Sequence, residues 1–410
     1  MKKLLLSAIV LATTIATAQE TVNISMGAGY ENEVYVNLED LTENTYEAAS
    51  WDIAFLRNDP QNIGIRVNDG IGIQVFEAAT TPEDFYTIDI ANEATWTPLY
   101  NDDTNWDNGA FMQGSAGFGW GEYNPVNHHV EGTIVFVLKY ADGTYVKFIN
   151  EDYFGAYTFK YATWNGTDWV GEATETVDNT SNPNNRYNYY SIQNNEEVVA
   201  EPAVDNWDFV FTKYTTFLDP PGAFYSVTGV LHNPTVTVAQ NEEPTGAGDP
   251  DNQMYLEEIN TIGYDWKSFN GSDYDVNSDM AYYIKRADNS VYRLVFTEFE
   301  GTSTGNLTFV YENVSEQLGF ETVSENSSFG MFPNPTANGQ VTLVYDTATT
   351  SGKNIVEIYA MNGTRVFSQE LTNQGGFYNK TIDVSALQTG VYVVNFTSGS
   401  NSISKKLIVK

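Results

Sequence analysis

Short runs in which Val, Ile, Tyr, Phe and Thr alternate with polar residues recur along the whole chain, and the period of amphipathic helices is almost absent. The clearest runs are Thr133–Tyr140, Thr144–Ile149, Ser290–Thr297, Leu307–Tyr311 and Val391–Phe396. A period of two puts every second side chain on one face, so each run predicts a strand with one apolar face. Asp142-Gly143, Asn165-Gly166 and Asn362-Gly363 punctuate these runs, and such pairs accept the positive φ of tight hairpins at little cost. The expected fold class is all-β and antiparallel.

Two stretches repeat one another in order. The first has Trp51-Asp52-Ile53-Ala54-Phe55, paired strands at 63–67 and 71–76, the turn Ala141-Asp142-Gly143, and Tyr157-Thr158-Phe159-Lys160-Tyr161. The second has Trp207-Asp208-Phe209-Val210-Phe211, strands at 224–230 and 235–239, Ala287-Asp288-Asn289, and Leu307-Thr308-Phe309-Val310-Tyr311. Four blocks kept in order indicate an internal duplication. The first copy is longer because it holds a loop from Asn101 to Val130. Polar stretches suggest the boundaries. One β unit is expected at 19–178 and a second at 186–318, separated by Asp178–Arg186; a linker at 319–328 then leads to a third unit at 329–410.

The N-terminus adds a compartment. Lys2 and Lys3 precede an apolar run, Leu4 to Ile15, and Ala16-Thr17-Ala18 offers small residues where a signal peptidase cuts. The run is shorter than the ~20 apolar residues needed to span a bilayer, so residues 1–18 read as a cleaved signal peptide. No later stretch is apolar enough to cross a membrane as a helix. There is no cysteine, which removes thiolate nucleophiles, disulfides and cysteine-based metal sites. The 54 Asp and Glu against 19 Lys and Arg give a formal charge of −35, which disfavours nucleic acid and anionic lipid as partners. An aromatic content of 14% argues for packed cores despite that charge.

The last eighty residues carry a distinct set of motifs. Phe332-Pro333-Asn334-Pro335 opens the segment, and the Asn362-Gly363 turn lies at its middle. Leu387, Gly390, Val391 and Tyr392 follow, and the chain ends in Lys405-Lys406-Leu407-Ile408-Val409-Lys410. This combination resembles the type A sorting domain of the type IX secretion system of Bacteroidota. The resemblance implies recognition by an outer-membrane translocon and a secreted or surface-displayed product. Within it, Pro333, Asn334, Pro335, Gly363, Gly390, Tyr392, Lys405 and Lys406 form the sorting motif.

The Trp-Asp-x-x-Phe blocks, the Ala-Asp-Gly-x-Tyr hairpin and the Tyr-x-Phe-x-Tyr strand resemble the HmuY family of surface haem-binding proteins, over about residues 20–318. That resemblance implies an all-β fold that captures haem between two axial side chains. Haem iron takes His, Met, Cys or Tyr ligands. With 3 histidines in the chain, the candidates are His128 and His129, and Met112 in the same aromatic loop. His232, beside Asn233 and Pro234, reads as a turn residue. Asp102-Asp103-Thr104-Asn105-Trp106-Asp107-Asn108-Gly109 places oxygens at alternating positions and invites calcium, although it lacks the Gly and Glu of an EF-hand.

No Gly-x-Ser-x-Gly elbow, His-Glu-x-x-His pair or phosphate loop occurs. The expected function is a secreted or surface binding protein, not an enzyme, that takes haem or a related apolar ligand. The rival expectation is a surface adhesion or structural protein for which the HmuY-like fold is only scaffold.

Overall fold

Residues 157–161 show how alternation becomes packing: Tyr157, Phe159 and Tyr161 are buried, while Thr158 and Lys160 between them stay partly exposed. Repeated along the chain, this pattern builds sheets with one apolar face, which are stable only against a second sheet. The structure, a computed structural model, describes residues 19–57, 62–180, 182–244, 246–315, 327–337, 339–347, 354–361, 363–371, 376–398 and 401–410. The expected signal peptide at 1–18, most of the expected linker, and Asn362 of the expected Asn362-Gly363 turn lie outside these residues. The chain forms two units, residues 1–315 and 316–410. Both are nearly all β.

In the first unit the strands are β1 (Glu20–Ser25), β2 (Asn32–Val36), β3 (Glu43–Glu47), β4 (Ile53–Leu56), β5 (Ile65–Val67), β6 (Gln74–Ala79), β7 (Thr97–Leu99) and β8 (Gly121–Asn124). Next come β9 (His129–Gly132), β10 (Val135–Lys139), β11 (Tyr145–Tyr153), β12 (Ala156–Trp164), β13 (Trp169–Asp178), β14 (Tyr187–Ser191), β15 (Glu196–Val198) and β16 (Phe209–Leu218). The last are β17 (Ala223–His232), β18 (Thr237–Glu242), β19 (Lys267–Phe269), β20 (Tyr274–Val276), β21 (Met280–Lys285), β22 (Val291–Phe299) and β23 (Asn306–Asn313).

These strands make two sandwiches. In the first, sheet β15-β14-β4-β5 packs on β13-β12-β11-β10-β6-β7 around Phe55, Ile65, Phe111, Phe136, Phe148 and Phe159. In the second, β17-β16-β2-β3 packs on β1-β23-β22-β21-β18 around Val36, Phe209, Phe211, Trp266, Phe296 and Phe309. The boundaries therefore differ from those expected at 178 and 186. Strand β14 pairs with β4, which places 187–198 in the first sandwich. Strands β1 and β2 pair with β23 and β16, which places 20–47 in the second. The polar stretch around 178–186 only crosses from one sheet to the other. Inner-face side chains decide the exchange: Val22, Ile24, Val34 and Val36 complete the second core, and Tyr190 and Ile192 complete the first.

The two sandwiches match in detail. Asp52 accepts from the Ile192 amide at 2.7 Å, and Asp208 accepts from the Leu38 amide at 2.6 Å. The Asn68 side-chain amide donates to the carbonyls of Ala48 and Trp51, and that of Asn233 to those of Val204 and Trp207. Both hairpin tips are closed alike: Gly143 (φ 89°) and Asn289 (φ 66°) are left-handed, with Asp142 and Asp288 each accepting from the amide two residues on. A β-bulge interrupts β11 between Asn150 and Asp152 and β22 between Phe296 and Glu298.

Between the sandwiches lies a layer of buried aromatics and acids. Tyr35, Trp207, Tyr214 and Trp106 pack there, and the Arg66 guanidinium sits over Trp106 at 5.3 Å. Glu201 accepts from the Tyr187 amide and the Tyr189 hydroxyl, but burial still pushes its carboxyl up to about 7 from the usual 4.5. The folded state thus holds this proton where the unfolded chain has lost it. The stability it contributes is complete below pH 4.5 and is lost as pH rises to about 7, a difference of about 3 kcal/mol. Glu201→Gln is therefore expected to raise the thermal midpoint at pH 8 by a few degrees and to change it little at pH 4.5. An equal effect at both pH values would exclude this titration as the cause.

The second unit comprises β24 (Ser327–Phe332), β25 (Gln340–Thr347), β26 (Asn354–Ala360), β27 (Arg365–Leu371), β28 (Gly376–Asp383), β29 (Gly390–Ser398) and β30 (Asn401–Val409). Sheet β24-β25-β28 packs on β27-β26-β29-β30 around Leu343, Ile358, Phe396 and Leu407.

Candidate functional site

One end of the first sandwich is built differently from the rest. Past the β11 bulge, Val130 and Tyr153 pair between β9 and β11, and Phe154-Gly155 turns the chain into β12. Gly155 has φ 76°, so the turn needs a residue without a Cβ. Phe154 is left 63% exposed at the mouth of this turn. Together with Ile63, Phe118, Tyr123 and His128 these residues wall a groove of about 670 Å³.

His128 closes the β8–β9 hairpin in a left-handed conformation (φ 65°), its amide bonded to the Asn124 carbonyl at 2.9 Å. Its Nδ1 lies 2.6 Å from the Tyr123 hydroxyl. Among the described residues Nε2 has no hydrogen-bond partner. His129 contacts Asp152 through Nδ1 at 2.7 and 3.0 Å and stacks on Phe154, with ring centroids 4.6 Å apart. A carboxylate on one imidazole nitrogen is the usual arrangement behind a metal-binding histidine. His129 nevertheless lies against the Phe154 ring and does not line the groove. Met112 stands in the turn Ala110–Gln113, packs against the first core and is not among the groove residues. Of the three candidate ligands, the structure brings His128 to the groove and His129 to its edge.

His232 is not at a hairpin tip. It ends β17 fully buried, with Nδ1 2.9 Å from the Asn233 carbonyl and Nε2 2.8 Å from that of Glu258, and burial holds its pKa down. In the Asp102–Gly109 loop the oxygens already have donors. Arg66 donates to the carbonyls of Asp102, Asn105 and Trp106, supplying the positive charge that calcium would bring. Asp102 accepts from Thr104 and Asn108, Asp103 from Thr216 and Asn260, and Asp107 from Asn62 and Arg186. Among the described residues no three His, Asp or Glu converge as a metal site.

In the second unit the motif residues lock the end of the chain. The Asn334 side-chain amide donates to the Lys406 carbonyl at 2.6 Å, and its oxygen accepts from the Ile408 amide at 2.9 Å, as a neighbouring strand would. Thr336, fully buried, continues the ladder to Ile408 and Lys410. The Pro-Asn-Pro opening and the basic-apolar ending are thus two halves of one contact. Gly363 (φ 82°) turns β26 into β27, and the Tyr392 hydroxyl donates to the Gln388 carbonyl just before Gly390. Lys405 and Lys406 lie on β30 beside the buried Leu407.

The fold is thus all-β with a separate C-terminal β unit whose opening motif is latched to the last strand of the chain. Residues 330–410 match the family described as secretion system C-terminal sorting domain, here of the type IX, type A kind. The protein is therefore secreted or displayed at the cell surface and interacts with that secretion system. A comparison with curated proteins found no match. Among the described residues no helix is long and apolar enough to cross a membrane.

Proposed function

We propose that the first unit of this exported protein captures haem, or a planar apolar ligand like it, in the groove of the first sandwich. The observation that carries the proposal is His128 set among Phe118, Tyr123, Val130 and Phe154, its Nδ1 held by Tyr123 and its Nε2 without a partner among the described residues. Aromatic walls suit a macrocycle, and an imidazole held by its other nitrogen suits iron. The likeness of the Trp-Asp and Ala-Asp-Gly blocks to HmuY proteins supports the same reading. Of the candidate ligands, His128 lines the groove and would supply one imidazole to the haem iron. A low-spin spectrum would bring in His129 as second ligand.

Hemin titrated into the chain from Gln19 to Lys410 is expected to give a saturable, red-shifted Soret band. His128→Ala should weaken it about tenfold or more, the scale of one lost strong contact. Met112→Leu should leave it unchanged. Equal binding by parent and His128→Ala would sink the proposal. The adhesion reading is favoured by exposed Phe217, Phe224 and Tyr225 on the β16–β17 hairpin. It predicts no hemin response and retention on cells or glycans.

A further inference from the structure

Because the sandwiches are copies, the groove of the first has a counterpart position in the second. Ile53 pairs with Val67 as Phe209 pairs with His232, so Ile63 corresponds to Thr228 and Arg57 to Lys213. The turn 154–156 corresponds to the longer turn 300–306, which also contains left-handed glycines, Gly301 at φ 73° and Gly305 at φ 70°. At that place lies a second cavity, of about 790 Å³, whose walls include Thr228 and Thr302. The two differ where the inserted segments differ. The first insert supplies Phe118 and His128, whereas the β19–β20 hairpin supplies Lys267, Phe269 and Tyr274.

The chemistry changes accordingly. Arg57 in the first sandwich is tied to the carbonyls of Asn182 and Pro183. Its counterpart Lys213 lines the second cavity, and its amine has no hydrogen-bond or ion-pair partner among the described residues. The Lys267 amine donates to the Thr228 carbonyl at 2.6 Å and the Tyr264 carbonyl at 3.3 Å, and lies 4.1 Å over Trp266. Both hydrogen-bond partners are neutral, and burial pulls the amine down to about 7 although the Asp265 carboxylate in the same cavity acts the other way. A bound anion would restore its charge. Phe269, 61% exposed, offers a ring face at the rim, and Tyr30 and Tyr274 line the same space. Two lysines line this cavity against one carboxylate, Asp265, a local excess of basic groups in a chain of charge −35.

We infer that this second groove binds an acidic saccharide, its carboxylate or sulfate set between Lys213 and Lys267 and a sugar ring laid on Phe269. The two grooves then serve different ligands, one apolar and one anionic. The test is calorimetric titration of the chain from Gln19 to Lys410 with trigalacturonic acid, with a sulfated heparin tetrasaccharide, and with neutral maltotriose. Saturable binding of one acidic probe and none of maltotriose is expected, and the probe that binds identifies carboxylate or sulfate. Lys213→Met and Phe269→Ala, which leave both cores intact, should each weaken it about tenfold. Lys213→Met should leave the hemin titration unchanged, which separates this groove from the first. Binding of neither acidic probe, equal binding of maltotriose, or undiminished binding by both variants overturns the inference.

Discussion

A chain ending at Ser328 is expected to disappear from the cell surface and the medium and to accumulate in the periplasm, while remaining folded. The second unit has its own two sheets and its own core, and the first unit keeps all of its own strands and core residues when 329–410 are removed. The leader that reads as a signal peptide is untouched, so the inner membrane is still crossed. What is lost is the module that the secretion system recognises. Cell fractionation with surface protease digestion measures the distribution. Arrival of the truncated chain at the surface in the parent's amount would end the sorting assignment for this protein. A finer probe is Asn334→Ala, which removes both bonds to β30. Each net hydrogen bond is worth about 1 kcal/mol, so the terminal strand should loosen without the unit unfolding.

The features legible in the sequence were the local ones. Period-two alternation gave the strands at 144–149, 290–297 and 391–396, and the Asp-Gly and Asp-Asn tips stand where the turn chemistry puts them. The sorting motif was legible because its two ends are tied to each other by backbone contacts that only certain residues make. Which strands share a sheet was not legible. Glu20 meets Tyr311, and Ile53 meets Tyr190, across separations that no short pattern encodes. These pairings are chosen by which apolar faces complete which core. The site divided in the same way. His128 was visible as a rare residue type, but Phe154 reached the groove only through a bulge and a glycine turn. Met112 sits in an aromatic loop by sequence, yet its side chain turns to the core. Lys267 gave no signal, because its setting depends on Thr228 from a distant strand.

Deleting residues 19–47 is expected to unfold the second sandwich and spare the first. The expected boundaries would assign these residues to the first unit, so the two assignments predict damage in opposite halves. Strands β1 and β2 and the residues just after them bury Val22, Ile24, Met26, Val34, Val36 and Leu38 in the second core. At about 1.5–3 kcal/mol for each side chain, their loss removes roughly 9–18 kcal/mol. That is comparable to the whole ~5–15 kcal/mol stability of an ordinary domain. It also leaves β23 and β16 with open edges and takes the Leu38 amide away from buried Asp208. The first core draws on residues 53–192 and loses nothing. Hydrogen exchange should therefore show β16 to β23 unprotected while β10 to β12 keep their protection. A synthetic peptide of residues 19–47 should restore protection in β16 to β23 by pairing along the vacated edges. Protection of β16 to β23 in the deletion without the peptide would show that the second sandwich closes without its N-terminal strands.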